Sequence, residues 1–410
     1  MKNYTIKLNS EYAGIFGAYW MFYAVISSFC SAYLLDRGYT NSEIGIILAV
    51  ASVVSVFLQP ALANLSDRSK KLDAIGVAEI STMAMLILEL GLFIFNKKSL
   101  ALWVIYMMIM AWELALQPLF NSLARELSES GSRINFGICR SGGSLAYAIF
   151  TAIMGTLVEK NGTGVLPGAG VITLAVLLGC LLFCKRTLDQ ALKNRKEENR
   201  LSDESVKEDA PEEIDLKMFV KRNKLFIALS FFIVILFFQN TILNNFMFQI
   251  VDGVGGTSED MGRIFGVMAF LEIPALFFFD NIHRKFSCAF LLKVAAIAFV
   301  CKLITMYLAS SVIMIYAAHF FHIFSFSLFL PAIVQFVNEI MDKGEAVRGQ
   351  AVYTTAITIA AIFANILGGI LLDASGPKLM LLVSSGLTLI GALGVILLVD
   401  KIGKTPKTLE

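Results

Sequence analysis

The residues best equipped for chemistry in this 410-residue chain are polar and ionisable side chains set inside long apolar runs. Glu272 lies near the middle of one such run, just before Pro274; Lys302 lies in the next, and His319 and His322 in the one after. A carboxylate, an ammonium and an imidazole on three consecutive segments can form one charge cluster, and a desolvated carboxyl can exchange protons near neutral pH. Earlier in the chain Glu113, Gln117 and Asn121 recur every four residues, which lays a polar stripe along one helical face. Arg140 and Tyr147, seven apart, share a face beside Gly137, Gly142 and Gly143. An arginine there needs a carboxylate, a carbonyl or a solute oxygen, and the tyrosine can stack on a ring or simply pack. Gln239, Asn240, Asn244, Asn245 and Gln249 crowd another segment. Amides both donate and accept, which suits a neutral, hydroxyl-rich solute and serves equally as glue between helices. Glu79 is within reach of an interface, whereas Glu89 sits deeper with no assigned partner. Charged groups at the bilayer centre cost roughly 2.5–3.5 kcal/mol each on insertion scales, so those retained usually face a cavity.

The elements that carry these residues follow from composition. The chain is 57% hydrophobic with 33 Phe and only 16% charged residues, whereas soluble chains carry about 25% charged residues. Its charges cluster between apolar stretches of membrane-spanning length. Twelve such segments are predicted, at 13–35, 43–64, 73–95, 99–124, 137–158, 164–184, 225–248, 261–281, 288–308, 311–338, 348–372 and 376–400. The predicted fold is all-α and integral to the membrane, with two six-helix bundles at 1–184 and 225–410. The stretch 185–224 reads as a flexible, partly helical cytoplasmic loop of mixed charge, interrupted by Pro211. Basic residues concentrate in alternate loops, which places both termini inside. The first segment is longer than a signal-peptide core and is expected to be retained. Six scattered Cys show no metal or disulfide spacing, and two His without nearby acids do not make a metal site. No metal, cofactor or nucleic-acid partner is expected.

Two spaced signatures occur twice. Thr40-x-x-Glu43-x-Gly45 is matched by Thr257-x-x-Asp260-x-Gly262, and Gly155-x-x-x-Glu159-x-x-Gly162 by Gly369-x-x-x-Asp373-x-x-Gly376, at offsets of 217 and 214 residues. The same order at nearly one offset points to a duplicated unit, the architecture of a secondary transporter. The first signature has the form of a capping box followed by a small residue that permits close helix approach; the second ends a helix. Both are expected to be structural.

The chain resembles the major facilitator superfamily and, within it, the lactose-permease-like group of proton symporters. The stretches that carry the resemblance are Leu58-Gln-Pro-Ala-Leu-Ala-Asn-Leu-Ser-Asp-Arg68 and Asn135-Phe-Gly-Ile-Cys-Arg140 running into Gly143 and Tyr147. The resemblance implies two six-helix bundles that work by alternating access, with Asp67 and Arg68 at a cytoplasmic gate. By position it makes Arg140 a sugar-binding arginine, puts Tyr147 where the group stacks a tryptophan on the sugar ring, and makes Glu272 a carboxylate that contacts sugar. Lys302 stands for an arginine, and His322 for the histidine of the binding and coupling cluster. The chain departs from the group where a carboxylate pairing with the arginine is replaced at Asn121 or Ser122, and where the proton-carrying glutamate falls at Ser325. Asn240 also replaces an aspartate whose lysine partner is missing.

The expected function is therefore proton-coupled uptake of a small polar organic solute, such as a sugar or glycoside, by a carrier of the cell membrane that works as a monomer. The expected solute site is Asn121, Arg140, Tyr147, Asn240, Asn244, Glu272 and His322, and the expected proton-coupling groups are Glu272, Glu113, Lys302 and His322. Alternatives are a nucleoside or aromatic-acid symporter, multidrug efflux, and, in a different class, a membrane sensor without flux. An enzyme is not expected: the sequence has no His-Glu-x-x-His, no Gly-x-Ser-x-Gly and no paired metal ligands.

Overall fold

The computed structural model describes residues 2–68, 73–199 and 216–403, which are helical with no strand among them. This follows from the apolar runs: away from water, a segment must satisfy its N–H and C=O groups within itself. The chain divides into two compact units, Met1–Lys207 and Glu208–Glu410.

In the first unit α1 (Lys2–Tyr23) passes through a π-helical turn, Ala24–Ser28, into α2 (Cys30–Asp36), with a bend of 44° between the two. Five further spans follow: α3 (Asn41–Arg68), α4 (Ala74–Ile94), α5 (Leu100–Ser128), α6 (Phe136–Asn161) and α7 (Leu166–Asn199). Helix α1 packs on α6 and α7, while α5 packs on α3 and α4. At Gly143 of α6 a Cβ would lie 2.6 Å from the Trp20 ring and 3.2 Å from Phe16, so only a glycine lets α6 approach α1 this closely. The sixth span was expected to end at 184, yet α7 continues to Asn199. Its extension is tied down by Thr187 donating to Glu11 (2.9 Å), Asn194 donating to Tyr4 (3.0 Å) and Arg195 donating to the Glu129 carbonyl. Pro211 and residues 200–215 lie outside the described residues.

The second unit opens with the short α8 (Leu216–Arg222). Its spans are α9 (Lys224–Asn245) with α10 (Met247–Asp252), α11 (Ser258–Phe277) with α12 (Phe279–His283), α13 (Cys288–Leu308), α14 (Val312–Phe320) with α15 (Phe326–Ile340), and α16 (Lys343–Gly403). Helix α16 is two helices meeting at Ser375 and Gly376, so described helices fall on all twelve predicted segments, six in each unit. Phe237 packs edge-on against Phe299 and Phe329 at the centre of this unit's core. Gly391 and Gly394 lie against α9, where a Cβ would meet Leu236 at 2.6 Å and the Phe232 ring at 2.0 Å. The tenth span, expected to be continuous, is broken at Phe321–Ser325. Ser327 donates both its hydroxyl (3.0 Å) and its backbone N–H (3.3 Å) to the His322 carbonyl, so a side chain reinforces the irregular backbone bond at the break. Large apolar side chains, among them Phe57, Ile87, Phe231, Phe277 and Leu397, remain on the surface, as contact with lipid requires.

The repeat is visible in hydrogen bonds. Thr40 N–H donates to Glu43 Oε2 (2.8 Å) and Glu43 N–H returns to Thr40 Oγ1 (3.2 Å). The same pair of bonds joins Thr257 and Asp260 at 3.0 and 3.2 Å. Asp73 caps α4 through Gly76 N–H, and Ser287 caps α13 through Phe290 N–H, again 214 positions apart. Beside these caps the Ala74 N–H donates to Glu126, and the Cys288 thiol donates to Glu339, which also meets His283 at 3.2 Å. The second signature ends in Gly162 and Gly376, both left-handed, at φ 77° and 72°. With ψ of 174° and −171° they occupy a region that is essentially glycine-only, where a residue with a Cβ costs about 1–3 kcal/mol. Gly162→Ala and Gly376→Ala should therefore each lower the thermal midpoint of the detergent-purified protein, whereas Gly179→Ala, in open space on α7, should leave it unchanged.

Candidate functional site

Each unit carries its own polar constellation. In the first, the π-helical turn decides the geometry. A π-turn inserts an extra residue into the helix and is often found at functional sites. Here it aims two successive hydroxyls at two different helices. Ser27 Oγ donates to Glu113 Oε2 on α5 at 3.2 Å, while Ser28 Oγ and the Tyr147 hydroxyl on α6 lie 2.8 Å apart. Glu113 is fully buried, and its other oxygen accepts from the Tyr19 hydroxyl at 2.9 Å. Gln117 is half-buried and Asn121 exposed, so the predicted stripe runs from an enclosed carboxyl to an open amide.

Arg140 is half-buried, with its guanidinium 4.4 Å from the Trp20 ring centre and 5.7 Å from that of Phe16, and NH1 donates to Ser144 at 3.3 Å. Cation–π contact of this kind is worth about 0.5–2 kcal/mol, more when water is excluded. Trp20 also meets Tyr147 edge-on, with centroids 6.0 Å apart, and Tyr23 packs against both. The result is an aromatic wall of Trp20, Tyr23 and Tyr147 beside one cation. Trp20, Tyr23, Ser27 and Ser28 were not singled out by sequence. The Ser27-Ser28 pair in an apolar helix was the signal available for the hydroxyls, and Trp20, seven residues before Ser27, had none.

In the second unit three expected residues form one hydrogen-bonded chain. Glu272 Oε1 lies 2.9 Å from His322 Nε2, and His322 Nδ1 lies 3.0 Å from Lys302 Nζ. His322 and Lys302 are buried, whereas the Glu272 side chain retains 23% exposure. An ammonium donating to Nδ1 leaves Nε2 to carry the N–H that meets the carboxylate, so opposite charges at the two ends balance through a neutral imidazole. The ring is held by near-parallel stacking on Phe326, 5.5 Å away at 15°, and by its place in the break between α14 and α15. His319 Nδ1 donates to the Ile315 carbonyl, 2.9 Å away, and is not part of the chain. Asn240 and Asn244 are half-buried on α9, and neither joins it. Asn245 donates to Asn365 of α16 at 2.6 Å, and Gln239 is fully buried with neither amide atom bonded among the described residues. Asp67 and Arg68 end α3, but their side chains lie outside the described residues.

The fold and these membrane-depth constellations define a multi-pass membrane transporter. The MFS_1 like family model matches residues 12–383, and the chain belongs to that family. The uncharacterized transporter YwbF of Bacillus subtilis (strain 168) is 22% identical over 368 residues, covering 88% of this chain and 85% of YwbF. Among solved structures, the nucleoside transporter NupG superposes with a TM-score of 0.76 at 13% identity, over 97% of this chain and 99% of NupG. A D-xylose-proton symporter superposes with a TM-score of 0.66 at 14% identity, over 98% of each chain.

If Glu272, His322 and Lys302 act as one unit, their contributions will not add. A double-mutant cycle with Glu272→Gln and His322→Ala should give an unfolding coupling energy of about 0.5–3 kcal/mol. The same cycle with Glu272→Gln and Glu113→Gln, in different units, should give none.

Proposed function

We propose that the protein imports a small polar organic solute by alternating access, driven by the proton gradient, with a sugar or glycoside as the first solute class. The observation that carries this reading is the Glu272–His322–Lys302 chain: a partly exposed carboxylate joined through an imidazole to a buried ammonium. Protonating Glu272 would remove the negative end of that chain and leave the imidazole N–H on a neutral, weaker acceptor. A change of bonding between two protonation states is what couples a proton to a conformational change. Glu113 is the second carboxylate that can take a proton. Arg140, Tyr147, Asn121, Asn240, Asn244, Glu272 and His322 are proposed as the solute ligands, and Asp67 with Arg68 as the gate. Residues 1–184 and 225–410 are proposed as the transport bundles and 185–224 as the loop joining them, in the cytoplasmic membrane with both termini inside and acting as a monomer.

A second reading, nucleoside uptake, is favoured by the aromatic wall of Trp20, Tyr23 and Tyr147 around Arg140. Flat rings stack on such surfaces, and the similar fold of NupG belongs to a protein described as a nucleoside transporter.

Proteoliposomes screened against mono- and disaccharides, nucleosides and aromatic acids separate the two. One solute class should alkalinise the medium outside the vesicles, and Glu272→Gln should abolish that signal. Arg140→Ala should raise the half-saturating concentration by about 10- to 100-fold, the range for losing a hydrogen bond to a charged group. Solute entry with no proton movement would overturn the symport claim, and the absence of counterflow for every solute would point to a sensor.

A further inference from the structure

Glu89 is absorbed by neither constellation. It sits on α4, is fully buried, and neither carboxyl oxygen has a hydrogen-bond partner among the described residues. A buried polar group without a partner costs free energy and calls for an explanation. The carboxyl lines a small, almost wholly apolar cavity with Tyr33 of α2, Tyr106 of α5 and Leu166 and Pro167 of α7. It also presses on Gly170, where a Cβ would lie 2.1 Å from Oε1. Position 170 must therefore be glycine for the carboxyl to occupy this place.

The surroundings pull in two directions. The apolar walls and the absence of any cation on them disfavour a charge. Leu166, Pro167 and Gly170 belong to the first turns of a 34-residue helix, whose end carries a partial positive charge that favours an anion. The titratable groups facing the carboxyl are the two phenols, Tyr33 and Tyr106, and the Tyr106 hydroxyl is already committed to the Ile26 carbonyl at 2.7 Å. Tyr33 is itself buried, with its hydroxyl unpartnered among the described residues, and the Arg37 guanidinium 4.8 Å above its ring pairs with the half-exposed Asp36 at 3.0 Å.

We propose that Glu89 is a proton-exchanging site of the first unit, reached past Tyr33 from the Asp36–Arg37 end of the bundle and built separately from the Glu113 and Glu272 sites. Its ligand is the proton: a single carboxylate with apolar walls lacks the oxygen ligands that a metal cation requires. The site supplies a further proton to the transport cycle, and in that respect it rests on the proton-coupled reading above.

The test is infrared difference spectroscopy of the full chain in proteoliposomes, stepped from about pH 5 to about pH 9, the range in which buried carboxyls titrate, with the aqueous proton itself as probe. A protonated-carboxyl band should appear and vanish across the steps, shift in D2O, and be lost in Glu89→Gln. Gly170→Ala keeps the carboxyl but displaces it, and should move the pH at which the band vanishes; it also serves if Glu89→Gln does not fold. Tyr33→Phe should slow the exchange. A Glu89 band that persists at every pH, or none at any pH, would make the group a structural acid or a fixed anion and overturn the proposal. Proton movement with the solute panel is measured alongside. If the wild type moves no protons with any solute, the coupling claim fails while the infrared result still decides Glu89.

Discussion

Everything in this protein depends on one constraint: a backbone with no water around it must bond to itself. Regular helix satisfies that constraint, so each irregular stretch inside a span has to be stabilised by side chains. Two such stretches stand out, the π-helical turn at Ala24–Ser28 and the break at Phe321–Ser325. Both coincide with polar constellations. In the first, Ser27 and Ser28 reach Glu113 and Tyr147; in the second, the Ser327 hydroxyl takes the His322 carbonyl while the His322 ring bridges Glu272 and Lys302. Irregular backbone and polar side chains stabilise each other, and removing either would strand the other in an apolar interior.

The duplication separates scaffold from chemistry. What recurs between the units is local and geometric: the capping boxes at Thr40 and Thr257, the caps at Asp73 and Ser287, and the left-handed glycines at 162 and 376. These set where helices begin and turn. The polar interiors do not recur. One unit places an arginine on a tryptophan beside an aromatic wall, while the other runs a charge-balanced chain through an imidazole. A shared scaffold can carry different side chains because a cap or a turn constrains only its own few residues.

That division explains what the sequence made legible. Spans follow from hydropathy, and caps from residues three apart, so twelve segments and both repeat signatures could be read directly. The Glu272, Lys302 and His322 cluster was also accessible, because an ionisable residue lies well inside each of three consecutive apolar segments. Contacts that depend on backbone irregularity were not. No residue pattern announces a π-turn, so the pairing of Ser27 with Glu113 and of Ser28 with Tyr147 was hidden. Arg140 was expected to need an oxygen; it donates to the Ser144 hydroxyl, and its guanidinium also packs on Trp20, a ring-face contact that residue spacing did not reveal. The break in the tenth span was masked by a hydrophobic profile that continues unbroken across it.

The two bonded carboxylates differ in a way that orders their roles. Glu113 is enclosed, and its oxygens are met by the Ser27 and Tyr19 hydroxyls. A hydroxyl can donate or accept, so those partners can serve the acid in either protonation state by rotating, with no displacement of a helix. Glu272 faces an imidazole whose second nitrogen is held by Lys302. There a proton arriving at the carboxyl leaves an oxygen that still accepts from the imidazole N–H, but it removes the negative charge that balances the Lys302 ammonium. The partners of Glu113 lie on α1 and the π-turn, whereas the Glu272 chain ties together α11, α13 and the broken α14–α15 span, and this geometry favours Glu272 over Glu113 for the proposed coupling role.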